Sequence, residues 1–198
     1  MKDLWTKALT PRRLAASVAS LSLFSFGCGG SPTVPTASNQ GPGACCEAAG
    51  TSSLASEVLE AMAATLQDEY RAEAIYDRVL LDHGEGTWPF ANIVNAEQRH
   101  SAAVARLYAN RSMGVPASRW NVDVVPRFGS VLEACTAGID AERENVAIYD
   151  RFLKLALPAD VERVFSSNRV ASLQNHLPAF EACATALGSV GNVATTGQ

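Results

Sequence analysis

The 198-residue chain is poor in aromatic residues (7%), in charged residues (18%) and in histidine, of which it has three. Few aromatic residues beside 47% hydrophobic residues, many of them alanine, favour helices that pack closely through small side chains. The chain has no nucleotide-binding loop and no hydrolase nucleophile motif. The composition therefore favours a helical protein, and no motif supports a nucleotide-dependent enzyme or a hydrolase.

The charge balance is weakly acidic, with 16 basic and 20 acidic residues and a formal net charge of −4. Four of the basic residues and one acidic residue precede Cys28, which leaves 12 basic and 19 acidic residues, a net charge of −7, in the rest of the chain. Nucleic acid and anionic lipid both bind clustered positive charge. We therefore expect no nucleic-acid partner.

Residues 1–28 are typical of an export signal, with a basic segment ending at Arg12-Arg13, an apolar run over 14–27 and small residues from Cys28. Fourteen apolar residues are too few to span a bilayer, which takes about 20. Gly27-Cys28 resembles a bacterial lipoprotein cleavage site, at which the cysteine is acylated. We expect lipidation of Cys28 and a place on the periplasmic face of a bacterial membrane. A simple cleaved signal, which would give a periplasmic or secreted protein, and a twin-arginine signal are the alternatives.

The remaining chain divides by composition into three parts. Residues 29–51 are rich in Gly, Pro, Ser and Thr and have no apolar period, which predicts a flexible tether. Residues 52–188 carry the helical pattern, and residues 189–198 are predicted to be a disordered tail.

A sequence repeat lies inside the helical part. The segment Ala-Ile-Tyr-Asp-Arg that begins at position 74 returns at position 147, an offset of 73 residues. Seven positions before each tyrosine of the repeat, Tyr76 and Tyr149, stands a glutamate, Glu69 in the first copy and Glu142 in the second. We expect both tyrosines to pack in the core with a hydrogen-bonded hydroxyl.

Each copy is followed by a helical segment with one histidine. In the first segment Glu97 and His100 stand three residues apart, so that both side chains lie on one helical face. In the second segment Leu173 and His176 have the same spacing, with leucine in the place of the glutamate. Two helix pairs that each offer carboxylate and imidazole groups are typical of a metal-binding four-helix bundle.

Four helices are predicted, over about residues 54–83, 87–112, 130–157 and 159–187, with Ser52-Ser53 able to cap the first, Pro158 ending the third and Gly188 ending the fourth. Short joins make the first pair and the second pair antiparallel neighbours. The segment 113–129 contains two prolines and no helical stripe. At about 3.3 Å per residue it can run the length of a helix of about 37 Å. This predicts an all-α, ferritin-like four-helix bundle with one long crossover between helices 2 and 3.

The inward seams of the four helices place five candidate metal ligands on one level of the bundle. Three buried carboxylates without compensation would be very costly, and a divalent cation would offset that cost. Mixed carboxylate and imidazole donors suit iron, manganese or zinc rather than calcium. The candidate ligands are Glu69, Glu97, His100, Glu142 and His176, and the fourth seam also holds Arg169 and Leu173.

This pattern resembles the ferritin-like superfamily of di-iron carboxylate proteins, and within it a bacterial and archaeal branch described as a domain of unknown function. The superfamily has Glu, Glu-x-x-His, Glu and Glu-x-x-His, one element per helix. The resemblance implies the five ligands named above and leaves Leu173 without a carboxylate. Glu73, one turn after Glu69, could be a further ligand. The resemblance also implies iron, as one or two ions, and oxidation of ferrous iron or reaction with oxygen or peroxide.

The same residues have a metal-free interpretation. The glutamates could pair with nearby arginines on solvated faces, and the histidines could be partly buried with ordinary hydrogen-bond partners. The chain would then be a metal-free or degenerate bundle that serves as an interaction or structural module in the cell envelope. A homodimer is compatible with either interpretation.

The chain has five cysteines, and their spacing indicates which two can pair. With Cys28 lipidated, four remain, and four cysteines allow three pairings. Cys135 is seven residues before Glu142 and Cys183 is seven after His176, so antiparallel helices would bring the two cysteines level. We predict a Cys135–Cys183 disulfide that contributes about 3–4 kcal/mol in the chain-entropy model. Cys45-Cys46 would remain in the tether.

Overall fold

The computed structural model describes residues 54–194. Within this range the regular secondary structure is entirely helical, with four helices and no strand, which confirms the predicted all-α class. The predictions for the export signal, the tether, Cys28, Cys45-Cys46 and the Ser52-Ser53 cap lie outside the described residues, as do residues 195–198 of the predicted tail.

The first three helices are α1 (Ser56–His83), α2 (Phe90–Ala109) and α3 (Val131–Phe152). The fourth helix is continuous and consists of α4 (Ala159–Ala171), a π-helical turn (Ser172–His176) and α5 (Leu177–Ala194). A π turn has i→i+5 hydrogen bonds and inserts one residue into the α-helical repeat. It therefore rotates the inward face of the helix before the turn relative to the inward face after it.

The helix ends follow local hydrogen bonding. At the start of α3 the Ser130 side chain accepts a hydrogen bond from the Glu133 amide, and the Glu133 carboxylate accepts one from the Gly129 amide, an arrangement like a capping box. The end of α3 was predicted near Leu157, which is wrong. The helix closes at Phe152, where the Leu155 amide donates to the Phe152 carbonyl over three residues.

The end of the fourth helix also differs from the prediction. Gly188 does not end it, and α5 continues to Ala194. Glycine inside a helix costs only about 0.5–1 kcal/mol relative to alanine, so a glycine without a following proline does not by itself stop a helix. The helical residues 189–194 were assigned to the tail by the sequence pattern.

Contacts between the helices show which helices are neighbours and in which direction they run. α1 packs mainly on α2, α3 packs mainly on α5, and the remaining sides are closed by α1 with α3 and by α2 with α4. Tyr149 of α3 donates to Glu69 of α1, and Tyr76 of α1 donates to Glu142 of α3. Partners that rise along α1 fall along α3, so these two helices are antiparallel.

The segment between α2 and α3 lies beside α1. The Gln67 amide group donates to the carbonyl of Ala117 near the middle of α1. Further along, Arg127 binds Asp82 and the Phe128 carbonyl lies 3.0 Å from His83 Nε2 at the C-terminal end of α1. The segment thus follows α1 from its middle to its end.

The interior has an apolar part on each side of a polar middle. One part is a cluster of buried residues from the first half of α1, the second half of α2 and the start of α4, including Met62, Leu66, Val104, Leu107 and Phe165. The other part is an aromatic group in which the rings of Tyr76, Phe90 and Phe180 have centroids 5.1–5.6 Å apart. In the described residues, no helix is long and apolar enough to cross a membrane.

The predicted disulfide is present. Cys135 of α3 and Cys183 of α5 are bonded, 48 residues apart in sequence, with their Cα atoms 6.0 Å apart. Both cysteines are buried beside the aromatic group. The bond therefore joins α3 and α5 at the end of the bundle opposite the larger apolar cluster.

Removal of this disulfide should lower stability. Replacement of both cysteines (Cys135→Ser with Cys183→Ser) is expected to reduce the free energy of unfolding by about 3–4 kcal/mol, because the reduced chain has more unfolded conformations. Urea denaturation with and without a reductant measures the effect. Reductant should lower the stability of the wild-type protein and leave the double variant unchanged, and equal stability of oxidised and reduced wild-type protein would contradict the expectation.

Gly138 gives a second test of the packing. A Cβ atom at Gly138 would lie 2.7–2.8 Å from three ring atoms of Phe180, whereas a Cβ at Gly188, also helical, would meet nothing within 4 Å. Gly138→Ala should therefore destabilise the protein by overpacking, which typically costs about 1–3 kcal/mol. Gly188→Ala is the matched control and should stabilise it by about 0.5–1 kcal/mol. Thermal unfolding of both variants checks the two opposite signs, and a stabilising Gly138→Ala would refute this packing.

Candidate metal centre

The five predicted ligands meet in the polar middle of the bundle. Glu69 of α1, Glu97 of α2, Glu142 of α3 and His176 of the π turn are all buried, with residue exposures from 0% to 4%. The side chain of His100 on α2 is 12% exposed. The structure thus brings three carboxylates and two imidazoles from all four helices into one interior cluster.

Glu97 lies between the two imidazoles. Its Oε2 atom is 2.9 Å from Nδ1 of His100, and its Oε1 atom is 2.9 Å from Nδ1 of His176. The two imidazole rings are stacked, with centroids 5.3 Å apart. One ligand atom from each of these three residues lies within 4.8 Å of the others, so Glu97, His100 and His176 could hold a metal ion.

The other two glutamates flank this group, one on each side. Oε2 of Glu69 is 3.5 Å from Nδ1 of His100, and Oε2 of Glu142 is 3.5 Å from Nδ1 of His176. Each imidazole therefore faces one outer carboxylate and shares Glu97 with the other imidazole. The arrangement has the approximate two-fold symmetry of the sequence repeat.

Two buried atoms of the cluster have no hydrogen-bond partner, and both are good metal ligands. Nδ1 of His176 and Oε2 of Glu69 are shielded from solvent and make no hydrogen bond of good geometry, although each belongs to an imidazole–carboxylate ion pair, His176 with Glu97 at 2.9 Å and Glu69 with His100 at 3.5 Å. Carboxylate and imidazole are also donor types that iron, manganese and zinc accept. The residues therefore fit a transition-metal ion.

Tyrosine hydroxyls donate to the outer carboxylates, which confirms the prediction that both hydroxyls are hydrogen-bonded. Tyr76 donates to Oε1 of Glu142 at 2.7 Å, and Tyr149 donates to Oε1 of Glu69. Each tyrosine of one copy of the repeat thus binds the glutamate of the other copy. The side chain of Asn168 on α4 donates to the Tyr149 hydroxyl at 3.0 Å, which fixes the direction of that bond.

The fourth helix presents a different inward face from the predicted one. Asn168 and Ser172 are buried, whereas Arg169 pairs with Asp150 at 2.5 Å and Leu173 is only partly buried. The prediction of Arg169 and Leu173 on the inward seam is therefore wrong by one residue. The π turn is the cause, because its extra residue rotates the helix before it. Asn168 and Ser172 were missed by the sequence interpretation for this reason.

Glu73 lies at the edge of the centre. Its side chain is partly buried, its Oε1 atom is shielded without a hydrogen-bond partner, and it is not one of the three residues whose ligand atoms converge. Burial raises the pKa of Glu73, and the neighbouring Glu69, Glu97 and Asp77 carboxylates raise it further, against the effect of Ser101. Glu73 is thus an outlying carboxylate beside the cluster.

Burial and the short imidazole–carboxylate distances shift the pKa values of the cluster. Burial raises the pKa of Glu69 to about 7, helped by the charge of Glu97. Burial alone would lower the pKa of each imidazole, but the adjacent carboxylates raise it to about 10 for His100 and about 9 for His176. Burial would raise the pKa of Glu97, and the two imidazoles in contact with its oxygens lower it instead.

A second buried polar chain lies beside the centre and was also missed from the sequence. Ser172 donates to Asn145 at 2.8 Å, Asn145 donates to Asp68 at 3.0 Å, and Asp68 pairs with Arg71 at 2.5 Å. All four residues are buried. Asp68 and Arg71 stand three residues apart on α1, a spacing that could have indicated an ion pair, but no sequence signal placed it in the interior.

Comparison of the chain with protein-family models, with curated proteins and with solved structures finds no match.

The raised pKa values of the imidazoles predict a pH dependence for metal-free protein. Their ordinary value is 6.5, so their contribution to stability is complete below pH 6.5 and is lost as the pH rises through 9 and 10. Glu69 acts in the same direction at lower pH, since its pKa rises from 4.5 to about 7 and folding favours its protonated form. Urea denaturation of chelator-treated protein should show a falling free energy of unfolding from pH 7 to 10.

The control for this experiment replaces both imidazoles with uncharged groups. The His100→Gln, His176→Gln variant should show a much weaker dependence between pH 7 and 10 than the wild-type chain. Parallel curves for the two proteins would show that other groups cause the dependence.

Proposed function

We propose that the chain is a ferritin-like metal-binding protein that holds iron, as one or two ions, between Glu69, Glu97, His100, Glu142 and His176. The observation that carries this proposal is the convergence of five ligand side chains in the interior, in which two atoms, Oε2 of Glu69 and Nδ1 of His176, make no hydrogen bond of good geometry. A buried polar atom without any partner costs about 1–3 kcal/mol, and the ion pairs of these two atoms offset only part of their burial. A cation would coordinate both atoms.

The helix arrangement supports the ferritin-like part of the proposal. α1 and α3 are antiparallel, and the segment between α2 and α3 follows α1 from Gln67 to His83. An up-down-up-down bundle would make α1 and α3 parallel. One long crossover between helices 2 and 3 accounts for both observations.

The donor set divides into two positions that share one carboxylate. Glu69 and His100 belong to the first position, Glu142 and His176 belong to the second, and Glu97 reaches both. Its shared place explains why the two imidazoles face opposite oxygens of the same carboxylate. Manganese or zinc could occupy the same donors.

Bound iron would supply redox chemistry with oxygen or peroxide, including oxidation of further ferrous iron. The residues of the chain keep water from the centre, orient the donors and hold protons. Tyr76 and Tyr149 fix the outer carboxylates by donating to one oxygen of each, which leaves the other oxygen to face an imidazole. Hydrogen bonds of this kind orient metal ligands and tune their affinity.

The proposal also includes export. The sequence pattern over residues 1–28 supports a place at the cell envelope, with attachment to a membrane through a lipid on Cys28 and with metal ions and that membrane as partners.

A metal-free bundle that acts as an envelope interaction or structural module is the second candidate. The favouring observation is the hydrogen bond between His100 and Glu97 at 2.9 Å, which pairs an imidazole with a carboxylate without an ion. Protonated imidazoles would then offset the buried carboxylates. Metal content distinguishes the two candidates.

Protein purified without chelator should contain stoichiometric iron, manganese or zinc, measured by elemental analysis. The Glu97→Ala, His100→Ala variant should lose the metal, because it removes the shared carboxylate and one imidazole. A matched control, His83→Ala with Glu85→Ala, removes the same two group types at the end of α1 and should retain it. Absence of metal from wild-type protein, even after anaerobic addition of ferrous iron, would favour the metal-free module.

A further inference from the structure

The π turn gives the fourth helix two different inward faces. Before the turn the buried residues are Val161, Phe165 and Asn168, and after it they are Phe180 and Cys183. Ser172 and His176, at the two ends of the turn, are both buried, and the Leu177 amide donates to the Ser172 carbonyl. The turn therefore sets the angle at which His176 enters the centre.

A π turn is rare and is less favourable than continued α-helix, so surrounding contacts must stabilise it. Its first residue has such a contact. The Ser172 hydroxyl donates to the Asn145 side-chain oxygen on α3 at 2.8 Å. The other end of the same amide donates to Asp68 on α1 at 3.0 Å. The turn is thus tied to two neighbouring helices through one buried side chain.

The buried chain ends in a charge pair. Asp68 accepts from Arg71 at 2.5 Å, and Arg71 is also 4.0 Å from Glu144. Both side chains of this pair are less than 10% exposed. The ion pair therefore holds Asp68 in the interior. The amide of Asn145 is therefore held at one end by a fixed carboxylate, and it holds Ser172 at the other end.

We infer that Ser172 and Asn145 are positioning residues that fix the π turn and thereby direct His176 at Glu97. The inference rests on the proposed function, in which His176 is a ligand. Ser172, the first residue of the turn, is buried together with His176, whereas Leu173, the inward residue of the predicted seam, is only partly buried and has no hydrogen-bonding group. The register that buries Ser172 is also the register in which Nδ1 of His176 lies 2.9 Å from a Glu97 oxygen.

Loss of the Ser172 hydroxyl should weaken metal binding through His176. Partners that orient a metal ligand typically contribute about 10–100-fold to metal affinity. Since Ser172 acts on the backbone that carries the ligand, we expect Ser172→Ala and Asn145→Ala each to weaken binding by about 10-fold, the lower end of that range. Ser172→Thr keeps the hydroxyl and should restore most of the affinity.

Cobalt(II) titration of the full chain, followed by visible absorption, measures this effect. Thr65→Val is the matched control, because Thr65 also has a buried hydroxyl but bonds only to carbonyls of its own helix. It should change thermal stability without changing cobalt affinity. The same titrations in a His176→Ala background complete a double-mutant cycle. There Ser172→Ala should add no further loss.

The outcomes separate the inference from the proposed function. Wild-type protein that binds no cobalt and no ferrous iron would overturn both. Binding by the wild type with equal affinity in Ser172→Ala would overturn the inference alone. The inference would also fail if Ser172→Ala weakened binding equally in the wild-type and His176→Ala backgrounds, because the effect would then not act through His176.

Discussion

Three carboxylates buried on one level of a helical bundle are the constraint on which the rest of the interior depends. Glu69, Glu97 and Glu142 have exposures of 0–2%, and isolated buried charges of this kind are very costly. The groups around them offset this cost. Two imidazoles lie between the carboxylates and two tyrosine hydroxyls lie outside them, and aromatic and aliphatic layers lie above and below. Two ligand atoms still lack a hydrogen bond of good geometry, and a bound cation is the group that we propose completes the set.

The sequence repeat explains how one chain builds such a centre. Glutamate and tyrosine are seven residues apart in each copy, which is two helical turns, so both lie on one face. Because α1 and α3 are antiparallel, each tyrosine reaches the level of the other helix's glutamate. The exchange of hydrogen bonds between Tyr76 and Glu142 and between Tyr149 and Glu69 is therefore a direct consequence of spacing and direction. The symmetry ends at Glu97, which has no counterpart on the fourth helix.

Periodicity was sufficient to predict four helices, the disulfide and the common level of the five candidate ligands, since Glu69 and Tyr76 lie on the same regular stripe of α1 as the buried Met62 and Leu66. It failed in the first half of the fourth helix, where Arg169 and Leu173 were placed inward instead of Asn168 and Ser172. A π turn adds one residue through tertiary contacts, here with Asn145, and local sequence does not signal it. For the same reason the buried chain from Ser172 to Arg71 could not be predicted, because its members lie on three different elements.

The charge of the donor set limits how it can bind metal. Three ionised carboxylates carry a formal charge of −3, so one divalent ion leaves −1, which a single protonated imidazole would neutralise. Two divalent ions leave +1, and both imidazoles must then be neutral to act as ligands. A fourth carboxylate, which the Glu-x-x-His pattern would place at position 173, would have balanced two ions completely, but the chain has leucine there. The remaining charge of a proposed second ion would be offset by an external anion or by the ionised form of a further acidic group, and Glu73, which has a buried oxygen without a hydrogen bond, is a candidate on α1.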